Sequence, residues 1–95
     1  MSKWEKIMRT LQIKVLGRVQ GVGFRFYANK RAQEFNIKGY VKNMTDGSVF
    51  IEAEGEDSVI KAFVSWCEKG PAWSRVSELK ISEIPFVGYE NFQIK

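Results

Sequence analysis

Gly21, Gly23 and Arg25 lie close together in the run Gly17-Arg18-Val19-Gln20-Gly21-Val22-Gly23-Phe24-Arg25. Glycine reaches backbone conformations that a β-carbon forbids. A loop built on Gly21 and Gly23 can therefore turn successive N–H groups inward as a concave nest for an anion. The residues that follow change to helical spacing, with Phe24, Ala28, Ala32 and Phe35 on one face and Tyr27 beside them. A helix N-terminus at this point adds unpaired N–H groups and the positive end of the helix dipole. Arg25, in the first turn, offers a fork of donors matched to phosphate oxygens. These features suit a bound phosphate, and taken alone they suit a structural glycine turn equally well. They do not match the common nucleotide loops. Phe24-Arg25 follows Gly23 where a Walker loop needs Lys-Ser/Thr, and Phe26 stands where the dinucleotide fingerprint needs a third glycine.

Other chemistries are excluded by composition. The chain of 95 residues has no histidine and one cysteine, Cys67. No Ser-His-Asp triad, Cys-His pair, imidazole metal site, cysteine zinc cluster or internal disulfide can form. The net charge of +4 is a mild positive field, and the lysines that produce it are scattered rather than gathered into a nucleic-acid-binding tail. No apolar run approaches the length of a membrane span. The first ten residues are basic without an apolar stretch, so no secretory signal and a cytoplasmic location are expected. With 44% hydrophobic and 14% aromatic residues, the chain suits one packed domain over 1–95, with residues 1–6 a loose extension whose Trp4 could pack onto the domain.

The elements that must hold the glycine run follow from periodicity. Leu11, Ile13 and Val15 alternate with polar residues, as in a half-buried strand that leads into the loop. The first helix ends near Asn36 and Gly39, and Gly39 to Lys42 reads as a short strand. Thr45-Asp46-Gly47-Ser48 is a tight turn, followed by alternation of Val49, Ile51 and Ala53. A second helix spans Glu56 to Lys69, with Val59, Ile60, Phe63, Val64 and Cys67 on one side, Asp57 or Ser58 as cap and Gly70-Pro71 as stop. Val76 to Ile84 forms a strand with Leu79 and Ile81 inward, and Asn91 to Ile94 a short last strand. The order β-α-β-β-α-β with a final short strand predicts an α+β, ferredoxin-like sandwich: an antiparallel sheet with two helices on one face.

After the first helix comes Gly39-Tyr40-Val41-Lys42-Asn43-Met44-Thr45-Asp46-Gly47-Ser48-Val49. Together with the run from Gly17 to Arg25, this segment resembles the acylphosphatase family. The family signature is similar to that run, followed by a glycine–aromatic–valine–basic–asparagine stretch and an Asp-Gly turn. The resemblance extends from Leu11 to Ile94 and takes in Ala53-Glu54-Gly55, Gly70-Pro71, Phe92 and Ile94. One departure is Ala72-Trp73 after Gly70-Pro71, where a second proline and a small residue are common.

The resemblance implies an enzyme that hydrolyses carboxyl-phosphate anhydrides without metal or cofactor. By residue-for-residue match, Arg25 and the N–H groups of Gln20, Gly21, Val22, Gly23 and Phe24 hold the phosphoryl group, and Asn43 orients the attacking water. Inorganic phosphate or sulfate would fit the same cradle. The lack of histidine agrees with this chemistry, because a carboxylate leaving group has a pKa of roughly 4 and departs unprotonated. A carboxamide cannot take the water's proton; the family's proposed acceptor is the substrate's own phosphate oxygen. Outside the resemblance, Asn43 and Asp46 are ordinary turn residues, Cys67 is core, and Trp66 and Trp73 are packing or surface residues. Nothing in the sequence marks a pocket for the acyl group, and a monomer is the default.

Two other readings compete. The element order also fits an RNA-recognition module, and Val22-Gly23-Phe24-Arg25-Phe26-Tyr27 faintly echoes its aromatic motif. That motif belongs on a central strand, whereas here it opens a helix. Phe50 is flanked by Glu52 and Glu54, which would repel a phosphate backbone. Nucleic acid is therefore not expected as a partner. A non-catalytic acylphosphatase-like domain, of the kind fused to carbamoyl-transferring proteins, is the second reading. The chain is expected to stand alone, which speaks against it.

Overall fold

The structure, a computed structural model, describes residues 7–95; the extension expected at 1–6 and the packing expected of Trp4 lie outside the described residues. In chain order the elements are β1 (Met8–Arg18), α1 (Phe24–Glu34), β2 (Lys38–Asn43), β3 (Val49–Glu56), α2 (Asp57–Lys69), β4 (Arg75–Ile84) and β5 (Phe92–Ile94). The five strands form one sheet in the order β4-β1-β3-β2-β5. All pairings are antiparallel except the last, where β5 runs parallel to β2 at the edge. Both helices cover one face, α1 over β2 and β5 and α2 over β4, β3 and β1. This is the ferredoxin-like α+β sandwich expected from the sequence.

The core lies where the strand period and the helix period meet. Ile13, Val15, Val41, Val49 and Ile51 point from the sheet, and Ala28, Ala32, Phe63 and Cys67 from the helices, all without measurable exposure. Ala28 and Ala32 are small, so α1 can lie close against the sheet while Phe63 fills the space beneath α2. Burying a side chain such as Phe63 contributes on the order of 1.5–3 kcal/mol. Burial also pushes the Cys67 thiol well above its usual pKa, so it stays protonated and is a core residue, not a nucleophile.

Three details differ from the expected pattern. The cap of α2 falls at Glu56, not at Asp57 or Ser58. The Asp57 N–H donates to the Ile7 carbonyl at 2.9 Å, and the Asp57 carboxylate pairs with Arg9 and with Lys61 one turn on. Ile81 does face inward opposite Ile13, but β4 is an edge strand that α2 covers incompletely, so Ile81 stays 46% exposed. Glu52 and Glu54 are buried rather than facing solvent. The connection 85–91 crosses the outer face of the sheet on its way from β4 to β5, and Glu54 holds it there. Glu54 Oε1 accepts the N–H groups of Gly88 and Tyr89 at 2.9 and 2.8 Å, and Oε2 accepts Val87 N–H at 2.7 Å and the Thr10 hydroxyl. Beside it, Glu52 accepts the Tyr89 hydroxyl and the Gln12 carboxamide.

Candidate active site

The loop from Val19 to Gly23 joins the end of β1 to the start of α1, and its shape follows from its glycines. Gly21 and Gly23 have φ of 74° and 80°, in the left-handed region where side chains are strained. Gly23 serves as the N-cap of α1, and its carbonyl accepts the first helical bond from Tyr27 N–H at 3.1 Å. A β-carbon on Gly21 would meet nothing within 4 Å, so the constraint there is conformational and that side of the loop is open. The cap has no side-chain partner, which leaves the first amides of α1 directed to whatever lies at the helix end.

Gln20 fixes this loop to the β2–β3 turn. Its carboxamide nitrogen donates to Met44 O at 2.7 Å and to Ser48 O at 2.8 Å. The turn is itself tied down by Asp46, which accepts Ser48 N–H at 2.9 Å and the Ser48 hydroxyl at 2.6 Å and pairs with Lys14 at 2.8 Å. Lys14 and the two Ser48 donors hold the Asp46 carboxyl well below the usual range. The turn carries Asn43 at the last position of β2, paired with Val49.

Together these pieces border a cleft of about 260 Å³, lined by Gly21, Gly23, Phe24, Arg25 and Asn43, with Val19, Phe26 and Ile94 completing the wall. Val22 packs its side chain against the core, and Gln20 turns its side chain to the hairpin, so these two residues can face the cleft only through their backbone. The Arg25 guanidinium donates to the Lys95 main-chain oxygen at 3.1 Å; among the described residues its other donors have no partner. The Asn43 carboxamide likewise has no hydrogen-bond partner among the described residues. A planar cation, a carboxamide and a glycine-shaped loop at a helix start thus meet at one opening. That set of donors suits a tetrahedral anion and a neighbouring water.

Sequence reasoning missed Val19, Phe26, Ile94 and the Lys95 oxygen. The alternating spacing of β1 ends before Val19, and nothing local shows that β5 returns along β2 and brings Ile94 and Lys95 to α1. Phe26 had a signal, an aromatic residue beside Arg25 off the apolar stripe, and it is 60% exposed.

The Acylphosphatase family profile matches residues 11–94. A relative named Acylphosphatase from Thermotoga petrophila is 46% identical over 88 residues, covering 93% of this chain and 98% of its own. The structure of an acylphosphatase from Coxiella burnetii superposes with a TM-score of 0.91 at 35% identity, covering 100% of both chains. The crystal structure of acylphosphatase from Bacillus subtilis superposes with a TM-score of 0.89 at 36% identity, covering 94% of this chain and 99% of its own.

Proposed function

The chain belongs to the acylphosphatase family, hydrolases acting on acid anhydrides, and on that premise we propose that it hydrolyses small acyl phosphates at the cleft between Gly21 and Asn43. The bond broken joins the carboxyl oxygen to phosphorus; the bond formed joins a water oxygen to phosphorus. The carboxylate leaves with the bonding electron pair, and the protons of the water end on the released phosphate.

The chain's own residues supply position and charge. The N–H groups of Gln20, Gly21, Val22, Gly23 and Phe24 hold the phosphoryl oxygens. Arg25 places a guanidinium fork on the same oxygens, where negative charge spreads in the transition state. Asn43 orients the attacking water through its carboxamide. The observation that carries this reading is the convergence of Gly21, Gly23, Arg25 and Asn43, from two separated segments, on one cleft. In the same reading the chain acts as a single-domain cytoplasmic monomer without a cofactor, and inorganic phosphate or sulfate competes for the cradle.

The test is hydrolysis of benzoyl phosphate by the purified protein, with and without a chelator. Turnover unaffected by the chelator is expected. Absence of turnover overturns the reading, and loss of turnover on chelation overturns the metal-free mechanism.

A further inference from the structure

A second cleft, of about 300 Å³, opens beside the first, between α1 and the 70–74 connection. Its walls include Tyr27, Trp66, Pro71 and Trp73, with Arg31 at the side. The two clefts share a partition. Phe24 lines the first and Trp66 the second, and their ring centroids are 5.4 Å apart. Gly23 lines the first, and a β-carbon placed on it would lie 3.4 Å from the Tyr27 ring of the second. Phe26 and Tyr27 meet edge to face at 5.2 Å. A single aromatic wall therefore runs from the phosphate cradle into the second cleft.

The chemistry of this cleft points to a flat apolar occupant. Trp66 is a fixed wall, packed between Phe24 and Phe63. Trp73 is 80% exposed and contacts no other ring among the described residues, so one indole face is free. Arg31 is neutralised by Glu34 at 2.6 Å, which argues against a second anion site. Apolar cavities of about 150 Å³ already admit benzene, and ligand sites are mostly apolar with few polar groups.

We propose that this cleft is the acyl subsite, and that the preferred substrates are acyl phosphates whose acyl group carries an aromatic ring, seated between Trp66 and Trp73 while the phosphate occupies the cradle. The proposal rests on the acyl phosphate reading above. It names the substrate class that reading leaves open.

The experiment compares acetyl phosphate with 3-phenylpropanoyl phosphate in the wild type, Trp73→Ala and Trp73→Phe. The wild type is expected to favour the aromatic substrate in kcat/KM by about tenfold, given the size of aromatic pair interactions. Trp73→Ala should lose about fivefold or more of that preference through KM, with acetyl phosphate unchanged, and Trp73→Phe should restore most of it. Trp73 is mostly exposed, so its removal leaves the fold intact. A preference that survives Trp73→Ala, or an equal fall for both substrates, overturns the subsite. A wild type that hydrolyses acetyl phosphate with no preference for the ring overturns the subsite and leaves the family reaction standing. No turnover of either substrate overturns both.

Discussion

Replacing Glu54 by glutamine changes one side chain outside the cleft and should reach into it. Glu54 accepts four hydrogen bonds, three of them from consecutive amides of the 85–91 connection. A carboxamide keeps one acceptor. With its oxygen toward Gly88 and Tyr89, its NH2 group faces Val87 N–H, donor against donor, while the Thr10 hydroxyl can turn to accept. One bond is lost and two lose their charge assistance, a destabilisation of about 2–3 kcal/mol. For a domain of this size the melting midpoint should fall by roughly 10–20 °C. The pH dependence has a definite sign. Burial opposes ionisation of Glu54, but the Thr10 hydroxyl and the amides of Val87, Tyr89 and Gly88 outweigh it, and its pKa lies below the ordinary value. A depressed carboxylate stabilises the fold fully above the unfolded-state value, about 4.3, and loses that contribution as pH falls through the lower folded value. The gap between wild type and Glu54→Gln, measured by thermal unfolding from pH 7 to pH 3, should be widest at pH 7 and close below pH 4. Because the same connection delivers β5, and with it Ile94 and the Lys95 oxygen that holds Arg25, the variant should also bind phosphate more weakly. A gap that stays constant across that pH range refutes the account of Glu54.

Two further outcomes follow from the cleft. Arg25→Lys should lower kcat/KM for an acyl phosphate by about 100-fold or more, because a point charge does not replace a two-pronged donor; near wild-type kinetics would remove Arg25 from the transition state. Asn43→Ala should lower kcat by about 100-fold while KM changes little, the pattern of a group that acts on the water and not on binding; a raised KM with kcat intact would make Asn43 a binding residue only.

The features legible in the sequence were those with a local cause. Gly21 and Gly23 announce a loop because few residues besides glycine tolerate their backbone angles, and Asp46-Gly47 announces the turn that carries Asn43. The alternation in β1 and β3 fixed which face is buried at Ile13 and Ile51. What stayed hidden depends on contacts distant along the chain. Glu52 and Glu54 fall on the outer face by alternation, and only the 85–91 connection passing over them turns exposed carboxylates into buried acceptors. Ile81 obeys its period, yet an edge position leaves it half open. Ile94 and Lys95 reach Arg25 only because β5 pairs parallel to β2, a register that no local pattern in Phe92–Ile94 encodes. Trp73 reads as a stray surface aromatic until Trp66 and Tyr27 are seen around it.

The carboxamide of Gln20 spends both of its protons on the β2–β3 turn, at Met44 and Ser48. The loop and the hairpin are therefore tied together, although they come from different parts of the chain. A ligand that stabilises the loop must by mass action also stabilise the turn bonded to it. On the proposed mechanism, occupancy of the cradle would therefore also steady the turn that holds Asn43 at the edge of the cleft.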